Sequence, residues 1–121
     1  MTQLTALIIE DNLDNMELIS FILRANNIDV IPAFDGLTGL ASAKQCEYDF
    51  ILLDIQLPDI SGFEVIKRMR AQGVNKPVIA VTSYAMCGDR QLLLASGCDG
   101  YIEKPINPEL IISQIMQVVK I

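Results

Sequence analysis

Residues 50–62 of the chain read FILLDIQLPDISG, and the pattern of this stretch recurs along the whole sequence. It opens on four consecutive apolar residues, 50–53, without the alternation of polar and apolar residues that a half-exposed strand shows. Such a run is typical of a strand that is covered on both faces, as in a parallel sheet. Asp54 ends the run, and a segment of helical period follows over residues 62–72.

Outward from this stretch, short apolar runs alternate with segments of helical period. The runs predict strands over 4–9, 28–32, 50–53, 78–81 and 101–102. The segments between and after them predict helices over 14–25, 36–45, 62–72, 89–95 and 108–120. Strands that alternate with helices in this way indicate an α/β fold of right-handed βαβ units, in which a doubly wound parallel sheet lies between two layers of helices.

Capping residues support these helix limits. Asp14, with Glu17 three residues later, resembles a capping box at the start of the first helix. Asn107 precedes a proline at the predicted start of the fifth helix. Gly73 and Gly97 stand where the third and fourth helices are expected to end.

Composition limits both the architecture and the function. The chain has 121 residues, 51% of them hydrophobic, which fits one folded domain over residues 1–121 and excludes intrinsic disorder. Its 15 acidic and 9 basic residues give a net charge of −6, which argues against nucleic acid as a partner. The sequence contains no histidine, so zinc proteases and histidine-dependent catalytic triads are excluded.

The same sequence predicts a protein of the cytoplasm. No apolar stretch approaches the ~20 residues that a membrane span requires, and no signal peptide is visible at the N-terminus. Three cysteines without a CxxC spacing, Cys46, Cys87 and Cys98, do not form a disulfide framework. We interpret them as reduced thiols that serve as small packing residues.

Polar residues follow four of the predicted strands. Glu10 and Asp11 follow the first, Asp54 the third, Thr82 the fourth and Lys104 the fifth. Each of them alone is better explained as a cap of a strand or helix. Together, at the carboxyl ends of parallel strands, they indicate a binding site.

Carboxylates this close repel one another by about 4 kcal/mol per pair at 4 Å and an effective dielectric constant of ~20. A proton, the Lys104 ammonium or a divalent cation must offset that repulsion. A site of oxygen ligands with room for water favours Mg²⁺ over zinc.

Four segments carry a resemblance to a known family: LIIEDN at 7–12, LDIQLPDISG at 53–62, AVTS at 80–83 and YIEKPI at 101–106. Together they resemble the response-regulator receiver domain, the phospho-acceptor module of bacterial two-component signalling. The resemblance covers essentially the whole chain. It implies the flavodoxin-like strand order 2-1-3-4-5.

The resemblance also implies roles for individual residues. Asp54 is then the phospho-acceptor. Asp11 and Asp54 are expected to bind Mg²⁺ directly, together with the backbone carbonyl of Gln56, while Glu10 acts mostly through metal-bound water. Glu10–Asp11 stands where an Asp–Asp pair is also frequent in the family, which we expect to alter the metal geometry only slightly.

Lys104 is expected to pair with a phosphoryl oxygen, after a cis bond to Pro105. Thr82 is expected to hydrogen-bond the phosphoryl group and to form a switch pair with Tyr101, whose ring turns inward after phosphorylation. Gln56 and Tyr84 occupy the positions that tune the rate of phosphate loss. A tyrosine at residue 84 is expected to shield the attacking water and to slow that loss.

The resemblance further implies a histidine kinase or histidine phosphotransfer protein as the phosphoryl donor. The domain is expected not to be an enzyme, because the donor supplies the reactive group and no general base is needed. The chain ends soon after the fifth predicted helix, so the output is expected to be contact with a downstream protein that the sequence does not identify. The fifth helix has an apolar arc of about 160°, which suits either packing in the core or docking to a partner protein. The same two explanations apply to Met16, Phe21 and Ile22 of the first helix.

Three alternatives remain. The first is a receiver domain cut from a hybrid histidine kinase, although the methionine at residue 1 favours a free-standing gene product. The second is an aspartyl-phosphate phosphatase of the haloacid-dehalogenase type, but such enzymes resemble a pattern with a second aspartate at the position of Gln56. The third, a nucleotide-binding module, lacks a glycine-rich phosphate motif after any strand.

Overall fold

Parallel strands and helices alternate along the part of the chain that the structure describes, namely residues 3–83 and 87–119, with the backbone alone for 87–90. In this computed structural model the strands are β1 (Leu4–Ile9), β2 (Ile28–Ala33), β3 (Phe50–Asp54), β4 (Val78–Thr82) and β5 (Gly100–Glu103). The helices are α1 (Leu13–Ala25), α2 (Gly36–Gln45), α3 (Gly62–Ala71), α4 (Cys87–Ala95) and α5 (Ile111–Val119).

The strands form one parallel sheet in the order β2-β1-β3-β4-β5. The predicted fold class and the strand order implied by the resemblance are both confirmed. In the register of the sheet Ile9 lies opposite Leu53, Asp54 opposite Val81, and Thr82 opposite Glu103. The carboxyl ends of β1, β3, β4 and β5 therefore meet at one edge of the sheet, which we call the carboxyl edge.

Two apolar layers cover the sheet, one on each face. Ile9 and Leu53 belong to the layer that contains the buried side chains of α2 and α3. Ile8 and Leu52 belong to the layer that contains those of α1 and α5. All five residues of β3 are buried. Because successive side chains of a strand point to opposite faces and both faces are covered, the central strands need no polar alternation.

Three helix starts differ from the prediction, and that of α4 is Cys87, two residues before the predicted Asp89. The N-cap of α1 is Asn12, whose side chain accepts a hydrogen bond from the Asn15 N–H at 2.9 Å, so the capping box expected at Asp14 is wrong. The backbone N–H of Asn12 also donates to Glu10 Oε2 at 3.2 Å, which fixes this residue at the helix entrance. At the other end of the chain, Asn107 begins a turn and α5 starts at Ile111, three residues after the predicted start.

The expected helix ends at Gly73 and Gly97 agree with the structure, where both glycines have positive φ angles, of 85° and 107°. Cys98 is buried and packs as predicted, whereas Cys46 is exposed, so the packing role assigned to Cys46 is wrong. The side chain of Cys87 and residue 120, the predicted end of the fifth helix, lie outside the described parts. No helix among the described residues is long and apolar enough to cross a membrane.

The apolar arc of α5 is used mainly for packing. Ile111 and Ile115 are buried, and Ile112 and Met116 are partly buried against the core layer on that face. Leu110, just before the helix, remains 51% exposed.

On α1, Met16 and Ile22 are buried, whereas Phe21 is 74% exposed. The described surface of α1 thus keeps a large apolar side chain that the core does not use.

Candidate functional site

The predicted site residues of four strands lie together at the carboxyl edge. Glu10 follows β1 directly, Asp54 and Thr82 are the last residues of β3 and β4, and Lys104 follows β5. Glu10, Asp54 and Thr82 are only 2%, 4% and 1% exposed, respectively, although all three are polar. Asp11 is exposed beside them. Buried polar side chains at the end of a sheet need partners, so their contacts decide what the site can do.

A single ammonium group joins the two buried carboxylates. Lys104 Nζ lies 3.2 Å from Asp54 Oδ2 and 3.2 Å from Glu10 Oε1. The Lys104 side chain is 17% exposed, so its charge remains accessible from the surface. The Lys104–Pro105 peptide bond is cis, as the resemblance implied.

The electrostatic balance of this cluster is unfavourable for Glu10. Burial, reinforced by the neighbouring Asp54 carboxylate, raises the pKa of Glu10 from 4.5 to about 7. Burial on its own lowers the pKa of Lys104. The attraction of the Asp54 and Glu10 carboxylates is larger than this effect, so the pKa of Lys104 lies above its ordinary value. Lys104 therefore stays charged, and its one positive charge does not fully compensate the carboxylates around it.

The carboxylate oxygens are arranged as a divalent cation would require. One oxygen each from Glu10, Asp11 and Asp54 lies within 4.8 Å of the others. Glu10 Oε1 is buried and, despite its proximity to Lys104, has no hydrogen-bond partner among the described residues. Hard oxygen ligands, an excess of negative charge and an exposed third carboxylate all fit Mg²⁺ with part of its water shell.

The loop between β3 and α3 carries Gln56, whose backbone N–H donates to Asp54 Oδ1 at 2.9 Å. With Lys104 on Oδ2, both oxygens of Asp54 accept a hydrogen bond. These two bonds fix the plane of the carboxylate at the end of the strand. The side chain of Gln56 is exposed.

Thr82 and Tyr101 lie on the same face of two neighbouring strands. Tyr101 lies opposite Ala80, two residues before Thr82, and side chains two apart along a strand share a face. Tyr101 is partly buried against the core layer of α2 and α3. The two members of the predicted switch pair therefore share a face of neighbouring strands, offset by two residues. Tyr84, the other predicted tuning residue, lies outside the described residues.

Asp59 and Arg70 are among the residues whose tertiary contacts were not identified from the sequence. Asp59, at the tip of the loop after β3, accepts hydrogen bonds from the first residues of α2. Arg70, at the end of α3, donates to the carbonyl oxygens of Gly97, Val74 and Lys76 at the opposite edge of the sheet. Their partners are 4 to 27 residues distant, and no local pattern in the sequence indicates these contacts.

A cleft of about 710 Å³ lies away from these groups, at the amino ends of the strands, and Lys44, Tyr48 and Asn75 are among its lining residues. None of the predicted site residues lines it. We locate the candidate site at the carboxyl edge instead, because the buried charges and the crowded carboxylates are found there.

The chain belongs to the response regulator receiver domain family, whose model matches residues 6–116. Taken with the parallel sheet, this makes it a CheY-like receiver domain of two-component signalling.

Among its relatives is the polar-differentiation response regulator DivK of Brucella anthropi, which is 41% identical over 105 residues, or 85% of each chain. The chemotaxis response regulator CheY4 of Vibrio cholerae superposes with a TM-score of 0.89 at 29% identity, over 97% of this chain and 99% of that one. The receiver domain of the sensor histidine kinase PA1611 of Pseudomonas aeruginosa PAO1 gives a TM-score of 0.89 at 30% identity, over 99% and 100%. That structure has a magnesium ion coordinated in its active site cleft.

Proposed function

We propose that the protein accepts a phosphoryl group on Asp54 from a histidine kinase or a histidine phosphotransfer protein. The bond from phosphorus to the donor nitrogen breaks, and a bond from phosphorus to a carboxylate oxygen of Asp54 forms. The observation that carries this proposal is the pair of buried carboxylates, Glu10 and Asp54, bridged by Lys104 at 3.2 Å from each. This network holds Asp54 in place at an accessible edge of the sheet, next to a cation that can meet an anionic donor.

The residues around Asp54 supply positioning and charge. The Gln56 N–H and Lys104 Nζ orient the acceptor carboxylate, one on each oxygen. Lys104 is also placed to move from Asp54 to a phosphoryl oxygen, since charge neutralisation and alignment are most of what phosphoryl transfer requires. Neither role needs a general base.

Glu10, Asp11 and Asp54, with the backbone carbonyl of Gln56, would hold Mg²⁺. When bound, the ion would neutralise charge on the transferring group and on the acceptor. The fit rests on the oxygen atoms of the three carboxylates, which lie within 4.8 Å of one another. The magnesium ion in the related PA1611 receiver domain supports the same choice of metal.

The signal is read out by contact with another protein. Thr82 and Tyr101 share a face of the sheet at the site, so a hydroxyl drawn toward a phosphoryl group leaves space that the half-buried ring can fill. The exposed Phe21 of α1 offers an apolar contact for the donor.

The protein acts as a stoichiometric acceptor in the cytoplasm and not as an enzyme. A phosphatase of the haloacid-dehalogenase type would use a second aspartate where Gln56 stands. Absence of turnover of p-nitrophenyl phosphate would support the acceptor role over the phosphatase. Relatives include both a response regulator and the receiver domain of a sensor histidine kinase, so the proposed acceptor role fits a free-standing regulator or one domain of a kinase.

Phosphorylation by acetyl phosphate and Mg²⁺, followed by intact-protein mass spectrometry, tests the proposal. We expect one added phosphoryl group on the wild type and none on Asp54→Asn. Asp29→Asn, which removes an exposed carboxylate at the β2 edge of the sheet, is the matched control and is expected to label like the wild type. Stoichiometric labelling of the Asp54 variant would refute the assignment.

A further inference from the structure

The carboxylate of Asp59 connects two segments of the chain. One is the loop after β3, the strand that ends in Asp54, and the other is α2, the helix between β2 and β3. Asp59 Oδ1 accepts a hydrogen bond from the Gly36 N–H at 2.8 Å, and Oδ2 accepts one from the Leu37 N–H at 2.8 Å. These are two of the amides that a helix leaves without an internal partner at its start. A loop at the acceptor site is thereby attached to the beginning of α2.

The helix already has a cap of its own. Asp35 precedes α2, and its Oδ1 accepts a hydrogen bond from the Thr38 N–H at 2.7 Å. Asp59 uses different amides and comes from 23 residues further along the chain. Unlike the local cap, Asp59 therefore joins two separate segments, the loop after β3 and the start of α2.

The charge of Asp59 suits this contact. Loss of contact with water tends to raise the pKa of Asp59, but the hydrogen bonds from the Gly36 and Leu37 amides outweigh it, and the pKa lies below its ordinary value. An ionised carboxylate at the positive end of a helix makes stronger hydrogen bonds than a neutral group.

The close approach of the two segments depends on a glycine. A Cβ atom at Gly36 would lie 2.7 Å from Ile60 Cγ1 and 3.1 Å from Asp59 Oδ1. A side chain at residue 36 therefore requires the Ile60 and Asp59 side chains to shift from these positions. The contact can thus be disturbed from either side, by removing the Asp59 carboxylate or by enlarging Gly36.

The attached loop carries groups of the proposed site. Its base is closed by the Gly62 N–H, which donates to the Ile55 carbonyl oxygen at 2.8 Å. Its first turn places the Gln56 N–H 2.9 Å from Asp54 Oδ1. Asp59 holds the tip, three residues beyond Gln56. With the base and the tip both held, the backbone at Gln56 has little freedom to rotate.

We propose that Asp59 is a positioning residue of the acceptor site, which acts through the loop backbone to fix Gln56 and, through it, the Asp54 carboxylate. The inference rests on the proposed function, because it concerns the same acceptor and the same cation ligands. Asp59 itself touches neither of them.

The test compares Asp59→Ala with Asp35→Ala. Both variants remove a carboxylate that caps α2, but only Asp59 belongs to the loop of the site. For each we measure the Mg²⁺ dissociation constant by titration calorimetry, the phosphorylation rate over a range of acetyl phosphate concentrations, and the urea midpoint. We expect Asp59→Ala to weaken Mg²⁺ binding about tenfold, at the low end of what loss of an outer-shell partner costs, and to lower the maximal phosphorylation rate.

Asp35→Ala is expected to lower the urea midpoint comparably and to leave Mg²⁺ affinity and phosphorylation at wild-type values. Gly36→Ala is expected to reproduce the Asp59→Ala defect from the other side of the contact. Asp59→Asn, which keeps one acceptor oxygen, is expected to give an intermediate Mg²⁺ affinity. If Asp59→Ala does not fold, the Mg²⁺ affinity and phosphorylation rate of Gly36→Ala and Asp59→Asn test the positioning role instead.

Two results overturn the inference, and they are distinguishable. If the wild type binds Mg²⁺ and is phosphorylated while Asp59→Ala matches Asp35→Ala in both, the positioning role is wrong and the proposed function stands. If the wild type neither binds Mg²⁺ nor takes up phosphate, the proposed function fails and the positioning role fails with it.

Discussion

Replacing Glu10 by glutamine is expected to remove a pH dependence from the stability of the metal-free protein. The Glu10 side chain is 2% exposed and lies beside Asp54 and Lys104. Glutamine has nearly the same shape and takes no part in proton binding over this range. The substitution therefore changes the protonation of one buried group with little change in packing.

The sign and size follow from the pKa of Glu10. In the folded protein the carboxyl keeps its proton up to about pH 7, whereas in the unfolded chain it loses the proton near the ordinary value of 4.5. Between these values folding takes up a proton, so the unfolding free energy falls as pH rises. The difference, 7 − 4.5 or about 2.5, corresponds to about 3 kcal/mol at about 1.4 kcal/mol for each unit of pKa. This stability is fully present below pH 4.5 and is lost by pH 7.

Urea unfolding followed by circular dichroism, in EDTA and from pH 4 to pH 8, measures the effect. Other carboxylates, such as Asp59, whose pKa is lowered, make the protein less stable as pH falls. The quantity to plot is therefore the unfolding free energy of the wild type minus that of Glu10→Gln at each pH. That difference should fall by about 3 kcal/mol across the range, in favour of the variant at high pH. Glu17→Gln makes the same change of charge at an exposed position of α1. If the two variants differ from the wild type in the same way at every pH, the reasoning about Glu10 is wrong.

Three further outcomes are expected. Asp11→Ala should leave the metal-free protein equally or more stable, because it relieves repulsion among the carboxylates, and should weaken Mg²⁺ binding about tenfold or more in calorimetry; unchanged affinity would contradict the ligand set. Arg70→Ala removes hydrogen bonds to three carbonyl oxygens and an ion pair with Asp99 at 3.1 Å. It should lower the unfolding free energy by about 2 kcal/mol in urea titrations. Its rate of phosphorylation should stay unchanged, and a slowed rate would show that the two edges of the sheet are coupled. Tyr84→Ala should shorten the half-life of the phosphorylated protein in Mg²⁺ buffer if the ring shields the attacking water as the sequence predicts; an equal or longer half-life would exclude that role.

The fold was largely predictable because its central strands can be recognised from their apolar composition. Strands buried on both faces appear as uninterrupted apolar runs, and the run at 50–53 differs from the observed β3 only by the addition of Asp54. Helix starts were less predictable. Asn12 and Asp14 are both good N-cap residues, and the choice between them involves the contact of the Asn12 N–H with Glu10, which depends on the folded strand.

The membership of the candidate site was predictable, but its energetics were not. Parallel strands necessarily bring their carboxyl ends to one edge, so Glu10, Asp54 and Lys104 were expected to lie close together. Their sequence positions do not reveal that Glu10 is buried whereas Asp11 is exposed, and this difference causes the raised pKa of Glu10. Nor does the sequence show that Asp59 reaches α2, since the bond joins residues that are 23 apart.

Carboxylates have different partners at the carboxyl edge and at the amino edge, where the strands begin. At the amino edge, Asp49 accepts a hydrogen bond from the Thr5 N–H at 2.7 Å, and Asp99 accepts one from the Val78 N–H at 2.9 Å. These carboxylates satisfy free strand amides and stabilise the fold directly. At the carboxyl edge, Glu10 and Asp54 share one ammonium, and the buried Oε1 of Glu10 has this ion pair but no hydrogen bond among the described residues. Crowded and incompletely paired carboxylates lower stability unless something binds them. This contrast within one small sheet favours a binding role at the carboxyl edge and a structural role at the other.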